Sequence, residues 1–245
     1  MLTFLFFQMG IFNKILKKAE EIAVKKHKPP KNYNKKNLKS LSEIKDKITC
    51  GSVLLCSGTA GESRLIEEID GTDFSHAAII VKLHNTKALY VWTADTVTIL
   101  DDKIHKEKNI KHSGSHLLLL EDYIADLDKI YPSPDGSKYR FAVALLKGID
   151  VDEKKLWSLM YKYDGTPFPS TKDEFLNWLK GQVDINTGMD NSFCAQMVAN
   201  TYQKMGWMKT NHPPNYYNPG SFAKTKEINK ELINGFLEKP FYFKI

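Results

Sequence analysis

An α+β fold is predicted by three features of this chain. Short β-branched and apolar runs at Ser52–Cys56, His76–Leu83, Ala88–Thr93, Thr96–Leu100 and Tyr139–Leu145 read as strands. Helical spacing takes over at Asp152–Tyr161, Asp173–Leu179 and Ser192–Met205. The strands come first and most helices later, which suits α+β better than an alternating parallel fold. The 245 residues, 42% hydrophobic and 11% aromatic, suffice for one core-bearing domain and an extension. No internal repeat is visible.

The N-terminal part differs in character. Met1 to Phe12 is apolar and Lys14 to Lys36 is rich in lysine. The apolar stretch is too short to span a bilayer. It lacks a positive n-region and a small-residue cleavage site, so it reads poorly as a signal peptide. Ile11, Phe12, Ile15, Leu16 and Ala19 recur at helical spacing with lysines between them. Such a helix suits weak association with an anionic membrane or a partner, or simple packing on the rest of the chain. Lys28-Pro29-Pro30 to Lys36 reads as a linker. The net charge of +6 comes largely from this segment. The expected division is 1–45 as basic extension and linker, and 46–245 as the core-bearing domain.

Within the domain a short helix is expected near Asn37–Lys45, ahead of the first strand. The polar loop Ser57–Asp73 holds a short helix at Arg64–Ile69. After Asp70-Gly71-Thr72-Asp73, Phe74 and Ser75 lead into the His76 strand. Leu117–Leu120 opens either a strand or a helix ending near Asp128. Asn218-Pro219-Gly220-Ser221-Phe222-Ala223 is a loop, and Phe241–Ile245 closes the chain as a strand.

The chemistry concentrates on Cys194. Asn191 and Ser192 are good N-caps and Gly206 a natural stop, so the thiol falls in the first turn of a helix. Unpaired amides and the helix dipole there favour a thiolate. Alone, Cys194 reads equally as a small apolar core residue. His76, at the start of its strand, supplies what a nucleophile needs: an imidazole that holds the thiol proton near neutral pH.

Several segments carry a resemblance. They are Gly51-Ser52-Val53-Leu54-Leu55, Ser75-His76-Ala77-Ala78-Ile79-Ile80-Val81, Leu89-Tyr90-Val91-Trp92-Thr93-Ala94, Asp164-Gly165-Thr166-Pro167-Phe168 and Ser192-Phe193-Cys194-Ala195-Gln196-Met197-Val198. In this order they resemble the permuted papain-like amidases. That group is related to NlpC/P60, includes YiiX/YaeF-like proteins, and has poxvirus and giant-virus relatives. The resemblance covers roughly residues 46–225. It implies a circularly permuted papain-like fold, with an antiparallel sheet packed against helices including the one that bears the cysteine. Histidine then precedes cysteine, the reverse of papain.

Two positions depart from the family pattern. Its first-strand Asp is Ser52 here, and its third, acidic catalytic residue falls on Thr93. Threonine can accept the histidine's other N–H but brings no charge. Asp95, two residues on, faces the same side if the strand extends that far. The candidate catalytic residues are therefore Cys194, His76, Thr93 and Asp95.

The resemblance implies a thiol hydrolase, a peptidase or amidase working through an acyl-thioester. Two alternatives stand beside it. One is a lipid acyltransferase or phospholipase of the same superfamily. The other is an inactive papain-like binding or structural protein, for instance in a virion. Cys50, Cys56 and Cys194 make no disulfide framework, which favours an intracellular or virion setting over a secreted one. No C-x-x-C pair or H-E-x-x-H run occurs, so no metal is expected, and no cofactor. His105, His112 and His116 lie in a polar stretch and are expected to be exposed. No motif points to specific nucleic-acid binding.

Overall fold

A computed structural model of the chain describes residues 2–27, 33, 37–83, 86–98, 102–104, 112–130 and 138–245. Its centre is a sheet in the strand order β1-β9-β6-β2-β3-β4-β5. These strands are β1 (Lys39–Ser40), β2 (Val53–Ser57), β3 (His76–Lys82), β4 (Leu89–Thr98), β5 (His112–Leu119), β6 (Arg140–Ala144) and β9 (Phe241–Lys244). Every pairing is antiparallel except β1 with β9, which is parallel. A second ribbon pairs β7 (Leu146–Lys147) with β8 (Phe236–Leu237). The fold is α+β, as the sequence predicts.

Side-chain alternation divides the sheet into two apolar faces. One carries Val53, Leu55, Ala77, Ile79, Trp92 and Leu117. It packs on α5 (Glu153–Tyr163) through Leu156 and Met160, and on α7 (Cys194–Met205) through Met197, Val198 and Tyr202. The other carries Leu54, Cys56, Ala78, Ile80, Val91 and Leu118. It packs on α2 (Leu41–Ile44) and on α4 (Leu120–Ile130) through Tyr123, Ile124 and Leu127. Because both faces are covered, the central strands read as near-continuous apolar runs. The Tyr202 hydroxyl donates to the Gly51 carbonyl and ties α7 to the lead-in of β2.

Several elements differ from expectation for physical reasons. The expected helix at 37–45 is β1, the short α2 and a 3₁₀ turn at Lys45–Lys47. The Ser40 capping box starts α2, while strand β1 forms only because the chain's far end, β9, pairs with it. The sheet thus begins ahead of residue 46. The two strands expected at Ala88–Thr93 and Thr96–Leu100 are one, β4, irregular between Asp95 and Thr98; residues 99 and 100 lie outside the described residues. The Leu117–Leu120 ambiguity resolves as both states: β5 ends at Leu119 and α4 begins at Leu120. Helix α3 (Gly61–Asp70) is longer than the expected Arg64–Ile69.

The N-terminal segment is α1 (Leu2–Lys26), which packs on α3. Ala23 is buried there, and Lys26 and His27 approach Glu68 and Glu67 at 3.7 and 3.4 Å. Among the described residues no helix is long and apolar enough to cross a membrane. Most of the expected linker, 28–36, lies outside the described residues.

Candidate active site

Cys194 is the first helical residue of α7, as its motif predicts. The N-cap, however, is Phe193, with φ −93° and ψ 166° and no side-chain cap. Neither Asn191 nor Ser192 caps it; the Ser192 amide instead donates to the Pro167 carbonyl. Uncapped amides are therefore left at the helix start, where Met197 makes the first intrahelical return bond, to Phe193.

His76 is the first residue of β3, paired across the sheet with Cys56. Its imidazole, Asp95 and Cys194 line one cleft, with Ser75, Tyr123, Phe168 and Glu174 among the other walls. No hydrogen bond joins the Cys194 thiol directly to the ring among the described residues; the amides of Ala77 and Ala195 reach the sulfur instead.

Behind the ring, β4 extends far enough to carry Thr93 and Asp95 to the same side. Thr93 Oγ1 lies 2.9 Å from His76 Nε2 and donates to Asp95 Oδ2 at 2.9 Å. A hydroxyl has one proton. With it given to Asp95, Oγ1 can only accept from Nε2–H. On the Thr93 side this places the proton on Nε2, while Nδ1 lies 3.8 Å from Asp95 Oδ1. Asp95 is buried, 8% exposed. The Tyr123 hydroxyl donates to both Asp95 oxygens at 3.3 and 3.2 Å and lies 3.3 Å from His76 Nε2.

Electrostatics set the resting state. Burial pushes the His76 imidazole below its ordinary value, and the Asp95 charge only partly offsets this. Burial likewise pushes the Cys194 thiol far up, with the Glu174 charge adding to it; the Ala77 and Ala195 amides work the other way and lose. This corrects the expectation of a favoured thiolate: the helix start does act on the sulfur, but a 3% exposed thiol is dominated by desolvation. Glu174 itself is raised to about 8, by burial and then by Glu62 and Asp70, so it holds a proton at neutral pH.

A pH profile follows from these directions. The base must be neutral imidazole, and lowering its pKa extends that form toward acid. The thiol stays protonated into alkaline solution. In a Glu174→Gln variant, which removes the titration near 8, kcat/KM is expected to stay flat through neutrality. The acid limb should fall below 6.5. An acid limb above 6.5, measured on an ester substrate, would contradict the lowered His76 pKa.

Tyr123 and Glu174 were not visible as site residues in the sequence. Each comes from an element that meets the cleft only in the folded chain. Asp164 and His116, by contrast, are drawn into a different cluster. His116 is 4% exposed, which corrects the expectation of exposure; His105 and the His112 side chain lie outside the described residues.

Fold and cleft define an α+β protein in which a helix-start thiol and a strand-borne imidazole share one cavity. No family model matches the chain. No curated protein matches it. Among solved structures it is similar to a crystal structure of the metalloprotein YiiX from Escherichia coli O157:H7. The two are 18% identical, the match covers 80% of this chain and 96% of that one, and the TM-score is 0.44.

Proposed function

We propose that this protein is a permuted papain-like, cysteine-dependent hydrolase of amide or ester bonds. The observation that carries the reading is the shared cleft, with Cys194 on one wall and on another a His76 whose Nε2 is committed to Thr93. Nδ1 of His76 takes the thiol proton as Sγ attacks the substrate carbonyl carbon. The carbonyl electron pair moves to oxygen, and the uncapped amides at the start of α7 stabilise that oxyanion. The intermediate collapses, the imidazolium protonates the departing amine or alcohol, and an acyl-thioester remains on Cys194. Water, deprotonated by His76, attacks the thioester; the acid leaves and the thiol is restored. Asp95 stabilises the transient imidazolium through Thr93 and Tyr123 and also directly, its Oδ1 lying 3.8 Å from His76 Nδ1.

The test is to trap the acyl-enzyme. Full-length protein mixed with an activated ester and quenched in acid should gain one acyl mass. Peptide mapping should place it on Cys194, and hydroxylamine should remove it. Acylation confined to lysines or to Cys50 would overturn the reading.

A second reading, an enzyme that takes lipid acyl groups, has its own support. An apolar groove lined by Leu16, Leu65, Phe175, Trp178 and Phe193 shares Glu62, Ile66 and Glu174 with the cleft walls. An acyl chain would bury apolar surface there at about 0.8 kcal/mol per methylene. Under this reading kcat/KM rises with chain length across p-nitrophenyl esters; a flat or falling series favours peptide or small amide substrates.

A further inference from the structure

Three metal-type ligands converge at the outer edge of the sheet, apart from the thiol. Asp102 precedes β5, His116 stands on β5, and Asp164 follows α5. Their side chains are 2%, 5% and 0% exposed. His116 Nδ1 lies 3.1 Å from Asp102 Oδ2 and 3.8 Å from Asp164 Oδ1. One ligand atom from each residue lies within 4.8 Å of the other two.

Charge and spacing both suit a cation. Two buried carboxyl groups beside one imidazole form a site whose charge a divalent ion would offset. With metal–ligand bonds of about 2.0–2.1 Å, neighbouring ligand atoms of a tetrahedral site stand about 3.3–3.4 Å apart. The observed 3.1 and 3.8 Å fall on either side of that spacing. One imidazole with two carboxylates suits Zn²⁺ or Mn²⁺ better than Ca²⁺, which asks for six to eight oxygens.

The backbone holds the ligands in place. Gly165 N donates to Ser115 O at 2.8 Å and Ser115 N to Thr166 O at 2.9 Å, which fastens the Asp164 turn to β5. Gly114, at φ +123°, permits this approach; a Cβ there would lie 2.2 Å from the Thr166 oxygen. On the other side, Lys103 N donates to Leu117 O at 2.8 Å and Ile104 N to Asp102 Oδ1 at 2.8 Å. His116 is also the direct cross-strand partner of Thr93.

We propose that Asp102, His116 and Asp164 bind a divalent transition cation, which clamps the 102–104 segment and the 164–166 turn onto β5 beside Thr93. The site is structural and does not depend on the hydrolase reading.

The test uses the full chain, stripped with a chelator and titrated with Zn²⁺, Mn²⁺ and Ca²⁺ by calorimetry. One equivalent of Zn²⁺ or Mn²⁺ should bind and raise Tm, with Ca²⁺ far weaker. Asp164→Asn and Asp102→Asn, which keep shape but remove charge, should each weaken binding at least about tenfold. Cys194→Ala should keep the equivalent, separating this site from a metal held by the cleft thiol. X-ray absorption of the Zn²⁺-loaded wild type should show a nitrogen and oxygen shell, which keeps the proposal testable if the variants misfold. No stoichiometric binding, loss of binding in Cys194→Ala alone, or a sulfur ligand at about 2.3 Å would each overturn it.

Discussion

Cys194→Ala is expected to lower ester or amide hydrolysis by about 10⁴-fold or more, the scale seen when the nucleophile of a catalytic triad is removed. The change deletes the thiol at the start of α7 while leaving the rest of that helix seated. Met197, Val198 and Tyr202 keep α7 packed in the core cluster to which Cys194 also belongs. The stability cost should stay near the ordinary ~1 kcal/mol of a point change. His76→Gln should give a loss of similar order, because an amide can fill the space but cannot take a proton. The double variant should be no worse than the poorer single one, since nucleophile and base act as one unit. Steady-state rates on a p-nitrophenyl ester, with far-UV circular dichroism to check folding, decide it. Near wild-type turnover in Cys194→Ala would end the hydrolase reading and leave the binding-protein alternative.

How much of this was legible depends on where each residue's partner lies. Cys194 and His76 sit in local patterns, a helix start and a strand start, that report their own geometry. Asp95 was readable through strand alternation, because β4 continues past Thr93. Tyr123 is different: its hydroxyl reaches Asp95 only because α4 folds over β4, and nothing around Tyr123 in the sequence encodes that contact. His116 was misread for a related reason. The run His112–Leu119 looks polar at its start, yet Ser115 and His116 are buried with polar partners from distant segments, Ser192 for the one and Asp102 for the other. Composition marks such residues as exposed, and only tertiary pairing brings them inside. Strand β1 was likewise hidden, since its partner is the last strand of the chain.

Thr93→Val is expected to lower kcat about 10- to 100-fold with little change in KM. The loss corresponds to one buried hydrogen bond of about 1–3 kcal/mol, at a factor of ten per 1.4 kcal/mol. Asp95→Asn should cost a comparable amount, because the carboxylate acts on the ring through the Thr93 hydroxyl. The two losses should therefore fail to add: the double variant is expected close to the worse single one. Tyr123→Phe should cost less, since its bonds of 3.2 and 3.3 Å are the longer ones. A purely structural role would also lower rates, so the pH profile is the sharper readout. The Asp95 charge raises the His76 pKa against the larger lowering by burial. Removing that charge must move the acid limb of kcat/KM further toward acid; an unmoved limb would mean Asp95 does not act on the imidazole. Thr93→Glu places the acid where the permuted papain-like pattern has one, yet it should reduce activity here. The new carboxylate would stand at a 2% exposed position against Asp95, whose oxygen already lies 2.9 Å from the side chain at that position. Two carboxylates in that space repel, and one must take a proton to stay. Combining Thr93→Glu with Asp95→Ala removes the conflict, so the pair should recover activity that Thr93→Glu alone loses.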